Sequence, residues 1–313
     1  MTALDGAPSS AAVRGITERE FREVQQLVYS EAGIALGPTK QALVLSRLAR
    51  RVRALDMPSI GEYVRHVREH RGDELTAMLD AITTNETHFF REPRHFELLE
   101  QRLVSLWRAE AEAGRRPRRV RVWSAACSTG EEPYSVAMLL LATLPQAEGW
   151  SLDIVATDLS TRVLDRATRA VWPIEQAAEI PPGLLRRYML RGVNASRGVM
   201  KATPELRRAV RFTRLNLNDQ HYAIGGPFDL ILCRNVMIYF DLASKQRVVA
   251  RLFDRLAPEG VLLLGHAETL TGITERGSAV APTVYTHVHA RESMAARLGF
   301  AVRGMSRRHR ATT

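Results

Sequence analysis

Residues 120–140 read VRVWSAACSTGEEPYSVAMLL. The apolar start predicts a strand over 120–125, the small residues of 125–130 a turn, and the run over 133–144 a helix. A strand passing through such a turn into a helix lets backbone approach a ligand closely and offers it the unpaired N–H groups of the helix start. Two glutamates, Glu131 and Glu132, stand where the pyrophosphate of a dinucleotide would lie, and no GxGxxG pattern is present. Acidic groups there repel a phosphate and favour a cation. A ligand that joins a ribose to an ammonium or sulfonium group therefore suits the turn better than NAD does.

Outward from this unit the alternation continues. Strands are predicted over 152–156, 228–233, 261–264 and 283–289, and helices over 160–170 and 244–256, the order of a parallel, doubly wound sheet. Asp158 closes the second strand, where an acid in such sheets hydrogen-bonds ribose hydroxyls, although the same residue type also caps helices. The string FDLILCRNVMIYFD, 228–241, ends its strand at Arg234 and Asn235 and delivers polar groups to the carboxyl edge, where ligands bind. Tyr239, just beyond, belongs either to that edge or to the core as a half-buried aromatic. Prolines, glycines and short β-like pieces break the rhythm over 171–212, the place for an inserted subdomain.

Residues 15–82 are built differently. Thr17 and Glu20 have capping-box spacing ahead of a helix carrying Phe21, Val24, Leu27 and Val28. A second helix, 39–55, places Leu45, Leu48, Val52 and Leu55 on one stripe and Arg47, Arg50 and Arg51 on the other face. Helices over 60–69 and 72–82, the latter with Leu75, Met78, Leu79 and Ile82 in register, complete an all-helical domain. A polar linker, 83–92, follows, and Pro93 suits the first turn of the next helix. Residues 1–14 are expected as a loose leader and 291–313 as a basic tail containing RRHR.

The chain has 313 residues, 25% charged and 45% hydrophobic, the balance of a folded protein. No signal peptide and no apolar run long enough to span a bilayer is apparent. Cys127 and Cys233 are the only cysteines and both sit in apolar surroundings, which suits small packed thiols in a reducing cytoplasm. A net charge of +10 suggests an anionic partner: nucleic acid, a membrane surface or an acidic protein face. The cations are expected to gather on the 39–55 helix and in the tail, without interleaved aromatic residues, which disfavours RNA.

At this point the strings TTNETHFFRE (83–92), SAACSTGEEPYS (124–135), ATDLS and PFDLILCRNVMIYFD resemble the chemotaxis receptor methyltransferases of the CheR family. The resemblance runs from about residue 20 to 290 and includes the segment GIALGPTKQALVLSRLARRVRALD. It implies an α/β fold: a Rossmann-like class I methyltransferase domain, 93–290, with the N-terminal helical domain 15–82 and a small β-subdomain, 171–212, that helps to dock the receptor. It implies S-adenosylmethionine as cofactor, S-adenosylhomocysteine as product and no metal. Asn85, Thr87 and Arg91 match a linker, 83–92, that covers the cofactor; Glu131 and Asp158 match its acidic contacts. Asn216 and Leu217 match the adenine region, and Arg234 and Asn235 the polar strand end. Arg91 and Tyr239 match the pair nearest the transferable methyl group. Arg47, Arg50, Arg51 and Arg53 correspond to the receptor-facing helix. The implied activity is esterification of glutamates in the cytoplasmic helical region of chemoreceptors, by a cytoplasmic, monomeric enzyme that binds no nucleic acid and meets the membrane only through the receptor. Other readings are a methyltransferase for RNA or a small molecule, a non-catalytic adaptor that senses the cofactor, and an NAD-dependent oxidoreductase.

Overall fold

The computed structural model describes residues 15–83 and 85–300; the expected leader, 1–14, and the arginines of 303–310 lie outside the described residues. The chain divides between residues 84 and 85 into two compact units. The first comprises α1 (Glu18–Ala32), α2 (Gln41–Ala54), α3 (Ile60–Glu69) and α4 (Asp73–Ile82). The Thr17–Glu20 capping box is formed, and Gly33 at φ 69° closes α1 in the left-handed region that glycine enters without strain. Glu20 also accepts the Gly61 N–H at 2.8 Å, which ties the start of α1 to the start of α3. Phe21, Val24, Val28, Leu48, Val52, Tyr63, Val64, Val67 and Met78 form the buried interior of this unit.

The α2 stripe is rotated from the expected one. Val44, Leu48 and Val52 are buried, while Leu45 and Leu55 are only partly covered. The rotation draws Arg47 and Arg51 inward. Arg47 donates to the Ile82 carbonyl that ends α4. Arg51 Nε donates to Glu74 Oε1 at 2.8 Å, and Nη2 grips the other oxygen of the same carboxylate. Arg50 and Arg53 remain exposed. The expectation that Arg47 and Arg51 share one solvated face is therefore corrected: a 3.6-residue period brings i+3 and i+7 of such a helix back beside its apolar seam.

The second unit opens with α5 (Pro93–Leu98), which continues through a π turn, Leu99–Val104, into α6 (Ser105–Glu112). There follow β1 (Arg119–Ala125), α7 (Glu131–Thr143), β2 (Ser151–Asp158), α8 (Thr161–Arg169), β3 (Val171–Pro173), α9 (Pro182–Tyr188), β4 (Met189–Arg191), β5 (Val199–Ala202), α10 (Pro204–Arg208) and β6 (Val210–Arg214). The chain then forms β7 (Phe228–Cys233), α11 (Leu242–Arg255), β8 (Leu256–Leu264), β9 (Gly277–Ala281), β10 (Val284–His287) and α12 (Arg291–Arg297). The main sheet has the order β6-β2-β1-β7-β8-β10-β9. Strands β6 to β8 are parallel; β10 runs antiparallel to both β8 and β9, so the sheet is mixed rather than wholly parallel. Successive strands build outward from β1 toward β6 on one side, then from β7 on the other. The switch point thus falls between β1 and β7, and their carboxyl ends frame the crevice where such folds bind ligands. Val120, Val122, Trp123, Leu230, Ile231 and Leu232 are fully buried because helices cover both faces.

A separate antiparallel sheet, β3-β5-β4, occupies residues 171–202. Residues 210–212, expected within the insertion, instead belong to β6, which pairs with β2 from Val210↔Ile154 to Arg214↔Asp158. Arg211 and Arg214 in a half-exposed edge strand hid its period. Residues 291–297, expected as tail, form α12, whose Met294 and Ala295 are buried. The tail, 291–313, is basic as expected, with six arginines against one acid, but the rest of the basic surplus does not lie in the helical unit. Between residues 15 and 83, ten arginines and lysines balance ten acids; between 162 and 214, twelve stand against four.

Candidate cofactor site at the carboxyl edge of the sheet

The turn after β1 has a backbone few sequences can adopt. Ala126, Ser128 and Gly130 have φ of 65°, 49° and 97°. A Cβ on Gly130 would approach Ala167 Cβ to 2.9 Å, so glycine is needed both for conformation and for close passage of α8. Cys127 N–H donates to the Thr157 carbonyl at 2.9 Å and carries the turn across to β2. Asp158 then fastens it: Oδ2 accepts from Ser128 N at 2.8 Å and Oδ1 from Ser160 N at 3.0 Å. The helix cap on α8 is Ser160, which accepts from Val163 N. Asp158 is thus a tether of the ligand-facing turn rather than a helix cap.

The two glutamates that open α7 separate in role. Glu131 is buried, its Oε2 accepting from Thr129 Oγ1 at 2.6 Å, and burial pushes its carboxyl above the ordinary range. A buried acid held up by lost hydration gains most from a cation, so the side chain fits the ammonium of an amino-acid tail and disfavours a phosphate. Glu132 turns inward to Ser124 Oγ at 2.6 Å and Arg234 Nη1 at 2.9 Å.

The linker is bound to this edge by its main chain. The Asn85 carbonyl accepts from Ser128 Oγ at 3.0 Å, Phe89 N donates to Glu179 at 2.8 Å, and Phe90 N donates to Ser135 Oγ at 3.0 Å. Phe89 is buried with its ring 5.0 Å from that of Trp172, edge to face. Thr87 is half-buried. The Arg91 guanidinium bends back to the Glu86 carbonyl at 2.8 Å.

At the end of β7, the Arg234 side chain is only 1% exposed and is spent on the protein: besides Glu132, it reaches the Arg91 carbonyl and lies 3.1 Å from Glu92 Oε2. Asn235 follows at φ 59°, its Nδ2 donating to Glu92 Oε1 at 3.2 Å. Tyr239 ends the short helical turn Met237–Tyr239 and is half-buried. Asn216 lies just past β6, its Oδ1 accepting from Asn218 N at 2.9 Å, and the buried Leu217 offers its carbonyl to Tyr222 Oη at 2.7 Å. Asn85, Arg91, Glu131, Asp158, Asn216, Leu217, Arg234, Asn235 and Tyr239 thus all stand on segments at the carboxyl ends of β1, β2, β6 and β7 or on the linker bound to them. Arg47, Arg50, Arg51 and Arg53 belong to the other unit.

Sequence reasoning passed over Glu92 and Glu268. Glu268 is buried and accepts from Gly265 N, Asn235 N and Met237 N at 2.7, 2.9 and 2.7 Å, fixing the loops after β7 and β8 together. The available signal was an acid four residues past a strongly apolar strand, on the edge already chosen as the site. Glu92, His95 and His266 bring potential metal ligands within 4.8 Å of one another. The Arg234 guanidinium already occupies the cation position against Glu92, so that cluster is an ion-pair centre, not a metal nest. Cys127 and Cys233 are both buried free thiols.

A switch-point crevice, an acid at the end of β2 and a buried acid at the start of α7 suit an adenosyl ligand, and the match of residues 85–286 to a SAM binding domain makes the chain a class I methyltransferase with S-adenosylmethionine as its cofactor. The chain belongs to the CheR family: residues 19–83 match the CheR methyltransferase all-alpha domain and residues 85–286 the CheR methyltransferase SAM binding domain. It is 40% identical over 273 residues to the chemotaxis protein methyltransferase of Escherichia coli K12, covering 86% of this chain and 91% of that protein. The chemotaxis protein methyltransferase of Salmonella typhimurium is 38% identical over 272 residues, with 86% and 90% covered. Chemotaxis protein methyltransferase 2 of Pseudomonas aeruginosa is 40% identical over 270 residues, with 86% and 93% covered. Among the described residues no helix is long and apolar enough to cross a membrane.

Proposed function

We propose that this methyltransferase esterifies glutamate side chains in the cytoplasmic helical region of chemoreceptors, as a cytoplasmic monomer that meets the membrane only through its substrate. The observation that carries this reading is that both units, and not the cofactor fold alone, match chemotaxis methyltransferases along nearly their whole length.

The chemistry asks for position more than for acid–base groups. A glutamate with an ordinary pKa of about 4.3 is already ionised at neutral pH, so its oxygen needs no general base. The cofactor, when bound, supplies an electrophilic methyl group on a sulfonium. The C–O bond forms as the C–S bond breaks, and an anion and a cation become two neutral products. Charge fades toward the transition state, so exclusion of water favours the reaction, and alignment can contribute up to roughly 7–11 kcal/mol.

In this reading Asp158 receives the ribose hydroxyls, Glu131 the cationic tail, and Asn216 and Leu217 border the adenine. Asn85 and Thr87 on the linker close over the ligand, with Arg234 and Asn235 below them. Arg91 steers the substrate carboxylate and Tyr239 orients a reactant through its hydroxyl. Arg50 and Arg53 meet the receptor, while Arg47 and Arg51 hold α2 in place for them. The small sheet, with exposed Arg186, Arg187, Arg191, Arg197 and Lys201 around it, adds a second docking face for an acidic substrate.

The test is transfer of radiolabelled methyl groups from S-adenosylmethionine to membranes containing chemoreceptors, followed by mild alkali. Label in a receptor-sized band that leaves as methanol is expected; alkali-stable label, or label on RNA alone, overturns the reading. Tyr239→Phe is expected to lower kcat about tenfold while S-adenosylhomocysteine binds within about twofold of wild type. Wild-type turnover in that variant removes Tyr239 from the mechanism.

A further inference from the structure

Two buried carboxylates, Asp158 and Glu268, and the half-buried Glu92 tie together loops at the carboxyl edge of the main sheet. Asp158 holds the turn after β1. Glu268 holds the loops after β7 and β8. Glu92 differs from both because it stands on the linker, which it joins to the ends of β7 and β8. Its Oε1 accepts from Asn235 Nδ2 and from His266 N, each at 3.2 Å. Its Oε2 lies 3.1 Å from Arg234 Nη2 and 3.3 Å from His95 Nδ1. Burial pushes this carboxyl up, but the Arg234 charge and the donors from His266 and Asn235 outweigh it and hold the group below the ordinary range. It is therefore ionised at neutral pH.

The backbone around it shows what the clamp enforces. Phe90 and Glu92 have φ of 51° and 61°, so Arg91 sits between two left-handed residues that are neither glycine nor asparagine. Such residues are strained and persist only where their surroundings over-determine them. Phe90 is held by Ser135, the Arg91 carbonyl by Arg234, and Glu92 by its own carboxylate. The direction in which Arg91 leaves the chain is thus imposed from both sides.

We infer that Glu92 is a positioning residue for methyl transfer: its carboxylate locks the linker to the ends of β7 and β8 and so sets where the Arg91 side chain stands. The inference rests on the role given to Arg91 above. It assigns Glu92 no contact with the reacting atoms. The effect should appear in turnover and not in cofactor affinity, because the Asp158 and Glu131 contacts do not pass through Glu92.

Glu92→Gln keeps an acceptor for Asn235 and His266, removes the charge and turns an amide NH2 toward Arg234. It is expected to lower kcat about tenfold while the S-adenosylhomocysteine Kd changes less than about threefold. The decisive measurement is the double variant with Arg91→Ala. If Glu92 acts through Arg91, the double variant is no slower than Arg91→Ala alone. Wild-type kcat in Glu92→Gln overturns the inference, as do losses that multiply in the double variant. Arg91→Ala with wild-type kcat overturns both the role given to Arg91 and the inference, whereas multiplying losses overturn the inference alone. Should Glu92→Gln not fold, Glu92→Asp, which keeps the charge and shortens the reach, takes its place with the same expected split and the same overturning results.

Discussion

The α2 helix and the stretch from 162 to 214 are both rich in arginine, and the structure uses that arginine in opposite ways. In the helical unit the ten cations are matched by ten acids, and two of the four arginines on α2 are drawn to Glu74 and to the Ile82 carbonyl. In the later stretch twelve cations meet four acids. Arg186, Arg187, Arg191, Arg197 and Lys201 are all exposed there, and among the described residues none of them enters an ion pair. A charged helix face read from spacing is therefore not yet charge available to a partner. What counts is whether an acid of the same unit has claimed it. Outside the C-terminal tail the positive surplus is carried mainly by the second region, and the first contributes two exposed arginines, Arg50 and Arg53.

The largest expected effect tests the structural half of this contrast. Arg51→Ala leaves Glu74, whose side chain is 7% exposed, without its partner. The loss is expected to be about 2 kcal/mol of the helical unit's stability, less than for a fully buried pair because Arg51 itself is 40% exposed and screened by water. Arg51 holds the Glu74 carboxyl below its ordinary range, although burial opposes the shift. A depressed carboxyl stabilises the fold above its unfolded pKa, and that contribution disappears as pH falls through the lower folded value. Wild-type stability should thus fall on acidification below about pH 4.5 more steeply than that of Arg51→Ala. Urea unfolding at several pH values checks both; an unchanged midpoint in Arg51→Ala would return Arg51 to the docking face.

The next effect tests the other half. Reversing Arg187, Arg191 and Arg197 to glutamate is expected to raise KM for receptor about tenfold at low salt, with kcat and stability kept and the difference shrinking as ionic strength rises. Unchanged KM would leave the basic stretch without a role in docking.

The comparison also explains what was legible in the sequence. The cofactor turn, Asp158, and the strand ending in Arg234 and Asn235 could be read because each is local: a motif and its backbone consequence lie within a dozen residues. The helical unit was legible for the same reason, down to the Thr17 cap. Strand β6 was not, since its partner β2 lies more than fifty residues earlier and an edge strand with Arg211 and Arg214 shows no apolar run. Glu92 and Glu268 were missed because their work is to join segments far apart in sequence, which no spacing rule reports. Arg234 stands at the end of β7 as read, and its guanidinium is engaged with Glu132 and the linker. Arg51 was placed on the wrong face because its partner, Glu74, lies two helices further on.

The smallest expected effect sharpens the contrast most. Arg50 and Arg53 are exposed on α2, and removing them leaves no buried acid behind. Double substitution to alanine should leave the unfolding midpoint within about 0.5 kcal/mol of wild type, the usual range for surface changes. KM for receptor should rise about threefold, because two solvated charges at the rim of a contact contribute a few tenths of a kcal/mol each. The rise should vanish in the background where Arg187, Arg191 and Arg197 are reversed only if both regions serve one docking event in which the basic stretch acts first. A threefold rise that persists unchanged in that background means that the two faces contribute independently. A tenfold rise from Arg50 and Arg53 alone would invert the comparison and make the neutral helical unit, not the basic insertion, the principal receptor contact.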